Sequence, residues 1–464
     1  MKGNSKRKLS GVILTLILAV TMVLGSTTTA FAAVDESLTD CEVTSNSWKN
    51  WPEGPAITGT TAVLIDADTG IVLYDKGKDV QRYPASITKV MTALLLLEQC
   101  PDLDAWVVMD ENGLKDAYAG SSNVNPQAGE IFTVEQCLQM ILVKSANDVA
   151  SQIAAYIGGT IDHFAEMMNA RAYELGARNT HFTNANGLED TNHYTTAYDM
   201  ALITREALKH QEFVDTIGTL QVTIPATNMS AERVYDTHMD LLMKDSGVYY
   251  EYCIGGKTGN TDIAQSTLVA VAQKDGRTLI GVIMHHPDWG VMSTDMSNLF
   301  EYGFNQFADT DVSYGYDMID GGTALIPVGA DLKNMTIEYD QDGDTTELTY
   351  LFDDQVVGTG TINTEDLQPL LVAHGDIEPS ATVAPDEDED ETGEADGNSE
   401  FKKSQSSGGF KLSSTILILV IIAAACLIIL LVVSIVSSYR KEQRRKKRRQ
   451  QKREEREKWQ NRDK

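Results

Sequence analysis

Two apolar hairpins separated by a long block of helical periodicity predict an α/β (α+β) fold in which helices cover an antiparallel sheet. The first hairpin is Thr61 to Asp66, a turn at Ala67-Asp68-Thr69-Gly70, and Ile71 to Asp75. The second is Ser266 to Gln273, a Lys274-Asp275-Gly276 turn, and Thr278 to Met284. After Asp311 the texture changes to short alternating strands parted by Asp/Gly turns, which predicts a small second β domain over 312–375.

Taken in chain order, Lys2, Lys6, Arg7 and Lys8 precede an apolar stretch and then Ala30-Phe31-Ala32, the pattern of a secretory signal peptide over 1–32. An N-terminal extension spans 33–54 and the main domain 55–308. Within the main domain the periodicity predicts helices over Ser86 to Gln99, Thr133 to Leu142, Asp148 to Ile157, Ile161 to Leu175 and Ala197 to His210. Thr133 with Gln136, and Thr196 with Asp199, have the spacing of capping boxes, and Asp148 is placed to cap the third helix. The segment carrying Lys257 is expected to pair antiparallel with the strand that begins at Ser266. In the second domain, strands are expected at Thr323 to Val328, Met335 to Tyr339, Leu348 to Phe352 and Val356 to Ile362, and a domain this small is expected to dock on the first.

Residues 376–413 form an acidic linker with too little apolar surface to fold. Residues 414–437 contain the unbroken apolar run Ile416 to Val436, long enough for one transmembrane helix. The tail, 438–464, holds 14 Lys/Arg against 5 Asp/Glu from Arg440 onward, so it is expected in the cytoplasm with the bulk of the chain outside the cell membrane. A net charge of −29, more negative still once the basic ends are set aside, argues against nucleic acid as a partner. Cys41, Cys100, Cys137 and Cys253 permit disulfides in an oxidising compartment, but no small disulfide scaffold is visible, and buried thiols fit equally well.

Three short motifs carry the chemistry: Ser86-Ile87-Thr88-Lys89, Ser145-Ala146-Asn147 and Lys257-Thr258-Gly259. Ser-x-x-Lys recurs at Ser5 to Lys8 and Ser438 to Lys441, each beside an apolar segment at one end of the chain. Ser-x-Asn recurs at Ser121 to Asn123, in a Gly/Ser/Asn-rich stretch that reads as a surface loop. Lys-Thr-Gly occurs once, and its order after the other two selects a serine acyl-transfer site. A serine hydroxyl needs a base, and the i to i+3 spacing puts Lys89 one turn beyond Ser86 on the same face. The helix that follows, Val90 to Leu97, is apolar all round and therefore buried, so a lysine in it must serve a purpose. Burial and the neighbouring cation Lys257 would together keep that amine neutral. Gly259 would let the backbone approach the substrate closely.

With these motifs go Met168-Asn169, Leu175-Gly176, Thr180-x-Phe182, Gly187-Leu188, the run His193 to Ala201, and Glu301-Tyr-Gly-Phe304. Over about residues 55–308 the chain resembles the serine D-alanyl-D-alanine carboxypeptidases of the low-molecular-mass penicillin-binding proteins, peptidase S11. The resemblance implies a β-lactamase/transpeptidase-like sheet, an acyl-enzyme on Ser86, Lys89 as base, and Ser145 with Asn147 relaying protons and holding the substrate amide. It implies that Lys257 and Thr258 bind the peptide carboxylate, that backbone N–H groups of Ser86 and Asn260 form the oxyanion hole, and that neither a metal nor an organic cofactor is needed. The implied partners are peptidoglycan stem peptides and β-lactams as covalent inhibitors, and the C-terminal helix adds the membrane. The family often carries an arginine about ten residues before the Tyr-Gly-Phe segment, where this chain has Met292. Arg233 and Arg205 are the candidates to replace it.

Three other functions share parts of this pattern. A serine β-lactamase shares the motifs, but Glu166 and Asn169 fall inside a helical run. A DD-endopeptidase would fit a weak hold on the free carboxylate. A non-catalytic penicillin-binding scaffold or sensor is argued against by intact Ser86, Lys89 and Lys257. His285, His286 and Asp288 lack a third spaced histidine for zinc.

Overall fold

A computed structural model describes residues 40–117, 120–313 and 319–375. The signal peptide, acidic linker, transmembrane helix and basic tail read from the sequence lie outside these residues. No helix among the described residues is long and apolar enough to cross a membrane.

Both hairpins join one five-stranded antiparallel sheet, ordered Val72–Lys76, Thr61–Asp66, Arg277–His286, Gln265–Lys274 and Cys253–Thr261. The two ends of the main domain therefore meet at the sheet's centre, with Thr61 opposite Met284. The strand with Lys257 pairs with Gln265–Lys274, as expected, and lies at the sheet's edge. Alternate residues enter two cores. Val63, Ile65, Val269, Val271, Ile280 and Val282 face the helical side, while Leu64, Leu268, Ala270 and Leu279 face the Trp289–Gln306 helix. A sheet covered on both faces explains why these strands read as nearly continuous apolar runs.

The Lys89–Gln99 helix is buried from Lys89 to Leu97, which accounts for its lack of a polar face. Around it lie the helices Val134–Leu142, Asn147–Gly158, Ile161–Glu174 and Ala197–Ala207. Thr133 and Gln136 make the full capping box. Thr196 caps Asp199 N–H, but the Asp199 carboxylate turns away to accept from Asn179 N and Thr180 Oγ1, so the second expected box is only half built. Two boundaries move. The third helix starts at Asn147 with Ala146 as its cap residue, and a separate helix, Gln211–Ile217, follows the one that ends at Ala207.

Beyond the main sheet, Phe307–Asp311 pairs with Thr323–Pro327, and Met335–Asp342, Thr345–Phe352 and Gln355–Asn363 form a meander. The Phe307–Asp311 strand thus bridges the position between the two expected domains. Leu367–His374 adds a helix that the alternating pattern did not foretell. Tyr350, Phe352 and Leu370 share one apolar cluster with Leu64, Leu279 and Phe300 of the main domain. Trp51 of the N-terminal extension joins that cluster and donates Nε1–H to Leu73 O. None of Cys41, Cys100, Cys137 and Cys253 is in a disulfide.

Candidate active site

Ser86 sits in the tight turn Ala85–Thr88 that leads into the Lys89–Gln99 helix. Ala85 has φ of 49°, a left-handed conformation that L-residues adopt at a cost, and Ser145 has φ of 62°. Strain of this kind persists only where the surroundings hold it. Thr267 Oγ1 donates to Pro84 O at 2.8 Å, and His193 donates from Nε2 to Thr88 Oγ1 at 2.8 Å while Nδ1 accepts from Thr183 N. Burial holds His193 down to about 3, so it stays neutral and keeps this tautomer. Gly187 closes the other side, since a β-carbon there would lie 1.9 Å from Ala85 O.

Lys89 has no solvent exposure, and its amine meets three oxygens: Ser86 Oγ at 2.9 Å, Asn147 Oδ1 at 2.6 Å and the Asn186 carbonyl at 2.6 Å. Burial, and then the charge of Lys257, lower its pKa well below the ordinary lysine value, while the carboxylates of Asp148 and Asp116 act in the opposite direction. A neutral amine has two N–H bonds and one lone pair. If Asn147 and Asn186 take the N–H groups, the lone pair points at the Ser86 hydroxyl.

Lys257 is buried on the edge strand, donates to Thr258 O at 2.6 Å, and is held down to about 7 by burial. Gly259 brings that strand against the nucleophile turn: a β-carbon on it would fall 2.7 Å from Ser86 N and 2.4 Å from Thr267 Oγ1. Asn260, one residue on, is exposed and donates from Nδ2 to Ser266 Oγ. Ser145 Oγ has no hydrogen-bond partner among the described residues. The side chain is nearly buried and lies two residues before Asn147, which contacts the base. Ser86, Lys89, Asn147, Lys257 and Gly259 are thus brought together, with Thr258 and Asn260 on the same strand end and Ser145 beside Asn147.

Several contributors escape sequence reasoning. The Ser121 loop lies against the site, where Ser121 Oγ accepts from Asn147 Nδ2 at 2.8 Å. Asp148 is not a helix cap; its buried carboxylate accepts from Val124 N and Asn125 N and pins the same loop to the helix. Asn186 contributes a main-chain carbonyl, for which no side-chain motif exists.

The arginine candidates are engaged elsewhere. Arg205 donates to Ala67 O and Asp68 O at the first hairpin turn, and Arg233 pairs with Glu130 over the Phe132 ring. Met292 is buried in the core rather than facing the site. The positive group near Lys257 is instead Lys144, since both lysines, after burial, depress the pKa of His238 and favour its neutral form. Glu166 is exposed and paired with His163, and Asn169 is tied to the Phe182 backbone, so neither serves a deacylating loop. His286 accepts from Asp288 N and donates to Asp295, and no metal-binding group of three His, Cys, Asp or Glu residues exists among the described residues.

The family model described as D-alanyl-D-alanine carboxypeptidase, Peptidase_S11, matches residues 49–288. The chain is 32% identical over 251 residues to D-alanyl-D-alanine carboxypeptidase DacF of Bacillus subtilis, covering 53% of this chain and 62% of that relative, or less than two thirds of its length. It is 33% identical over 258 residues to D-alanyl-D-alanine carboxypeptidase DacB2 of Mycobacterium tuberculosis, covering 54% of this chain and 84% of the other. Among solved structures, penicillin binding protein 6B from Escherichia coli is similar with a TM-score of 0.57 at 25% identity, covering 68% of this chain and 99% of that one. A Streptomyces DD-transpeptidase is similar with a TM-score of 0.51 at 28% identity, covering 55% and 99%.

Proposed function

Because the chain belongs to the D-alanyl-D-alanine carboxypeptidase family, peptidase S11, we propose that it removes the terminal D-alanine of peptidoglycan stem peptides through an acyl-enzyme on Ser86. The observation that carries this reading is the Lys89 amine, buried, depressed in pKa and 2.9 Å from Ser86 Oγ. Lys89 takes the hydroxyl proton as Oγ attacks the carbonyl carbon of the penultimate residue. The oxyanion that forms is held by the N–H groups of Ser86 and Asn260. As the C–N bond breaks, a proton reaches the departing D-alanine nitrogen through Ser145 Oγ, and Asn147 holds the substrate amide. Lys257 and Thr258 hold the terminal carboxylate. Water then attacks the ester, Lys89 accepts its proton, and Ser86 regains its hydroxyl. No metal or cofactor enters these steps. A β-lactam would acylate Ser86 by the same path.

The sequence supports a chain exported by its leader and tethered by one helix over 414–437, with the catalytic domain outside the cell membrane. Protease added to wall-less cells should then cut within 376–413 and release an active fragment; protection of that linker would overturn the tether. For the activity, a fluorescent penicillin should label the protein covalently and Ser86→Ala should abolish the label. Persistent labelling of that variant would sink the assignment. The absence of a basic residue on the Trp289–Gln306 helix favours one second reading, a DD-endopeptidase with a weaker demand for a free carboxylate.

A further inference from the structure

We infer that Asp116 is a positioning residue for the Lys89 base, holding it through two separate hydrogen-bonded arms and through its charge; the inference rests on the reading of Lys89 as the base. In the first arm the Lys89 amine donates to Asn147 Oδ1, Asn147 Nδ2 donates to Ser121 Oγ at 2.8 Å, and Ser121 Oγ donates to the Asp116 main-chain carbonyl at 3.1 Å. In the second the amine donates to the Asn186 carbonyl, and Asn186 Nδ2 donates to Asp116 Oδ2 at 3.2 Å and to Ser151 Oγ at 3.0 Å. Ser151 Oγ closes this arm with a 2.5 Å bond to the same Asp116 oxygen. Both arms therefore start at one amine and end on one residue. Asn147 and Ser151 stand four residues apart on the Asn147–Gly158 helix, so one helical face serves both. Removing any member of a closed ring lets the others relax, and an amine that must aim one lone pair at Ser86 tolerates little drift.

Charge is the second consequence. The charged groups acting on Lys89 are Lys257 from the edge strand, Asp148 from the helix and Asp116 from the loop, with His193 nearby and neutral. Burial and Lys257 push the amine toward neutrality, and the two carboxylates oppose them. A general base pushed too low is a weak base, so Asp116, by offsetting part of that depression, keeps Lys89 basic enough to take the serine proton.

The test is the rate of covalent labelling by a fluorescent penicillin against pH, using membranes that carry the full chain. With Asp116→Asn the acid limb should move to lower pH and the plateau should drop on the order of tenfold. Ser121→Ala and Ser151→Ala, which leave the charge in place, should lower the plateau without moving the limb, and Asp116→Glu should bring the limb back. An Asp116→Asn profile whose acid limb coincides with that of the wild type overturns the inference, as does a Ser121→Ala or Ser151→Ala variant with full plateau rate if the asparagine variant fails to fold. A wild type that never labels would instead overturn the reading of Ser86 and Lys89, so the two failures are distinct.

Discussion

Gly259 passes Ser86 so closely that a β-carbon on the glycine would lie 2.7 Å from the serine's amide nitrogen. No ordinary Cβ contact is that short, so any side chain at 259 must push the edge strand away from the nucleophile turn. Lys257, Thr258 and Asn260 would move with it. Gly259→Ala is therefore expected to cost acylation on the order of a hundredfold, with a Tm lower by only a few degrees. Penicillin-labelling rates and thermal melts on the same preparation separate the two effects; a variant that labels at the wild-type rate would refute the role of this close approach.

The two lysines make a second prediction with a definite sign. Lys89 can accept the serine proton only when neutral, so acylation should rise with pH through its lowered pKa. Lys89→Arg should be nearly inactive at every pH, because a guanidinium stays charged. Lys257 helps to lower the Lys89 pKa, so Lys257→Met should move the acid limb to higher pH, opposite to the shift expected for Asp116→Asn. A carboxylate-free acylating probe isolates this effect from substrate binding. With an acidic peptide, by contrast, KM should rise as pH passes about 7 and Lys257 loses its charge.

Much of this architecture was legible in the residues. The hairpins announce themselves by apolar runs and Gly/Asp turns, and the apolar surroundings of Lys89 mark it as a buried lysine before any contact is known. What escaped depends on atoms without a side-chain signature. Asn186 contributes a carbonyl, Ala85 a left-handed φ, and Gly187 an empty space against Ala85 O. The Ser121 loop has the composition of solvent-exposed turns, yet the buried Asp148 carboxylate draws its backbone N–H groups inward and turns Ser121 toward Asn147. Local composition cannot reveal a loop held by a partner more than twenty residues away.

Selectivity for a free C-terminus gives a third prediction. Met292 is core, so Met292→Arg would bury an unpaired charge and destabilise the fold instead of adding a contact to the substrate. Lys144, grouped electrostatically with Lys257 around His238, is the better candidate for a supplementary cation. Lys144→Met should reduce the preference for an acid over an amide terminus by about tenfold, the lower end of a charge-assisted hydrogen bond. Comparing kcat/KM for D-Ala-D-Ala peptides of each kind measures it, and an unchanged ratio would leave the carboxylate to Lys257 and Thr258 alone.

The last prediction concerns stability. Burial lowers the Lys89 pKa well below the ordinary 10.5, so the unfolded chain binds that proton more readily than the folded one. As pH falls through the window beneath 10.5, the native state must either give up the proton or hold a buried charge, and stability is lost. Lys89→Met keeps a side chain of similar length and removes this penalty, although it leaves Asn147 Oδ1 and the Asn186 carbonyl without their donor. The variant should be inactive, and its Tm relative to the wild type should be most favourable at the low end of this window and fall as pH rises toward 10.5, above which the wild-type lysine is neutral in both states. Thermal melts of both proteins across that range test the sign directly. A difference in Tm that does not change with pH would show that Lys89 carries the same charge folded and unfolded, and would remove the basis for treating it as a neutral base.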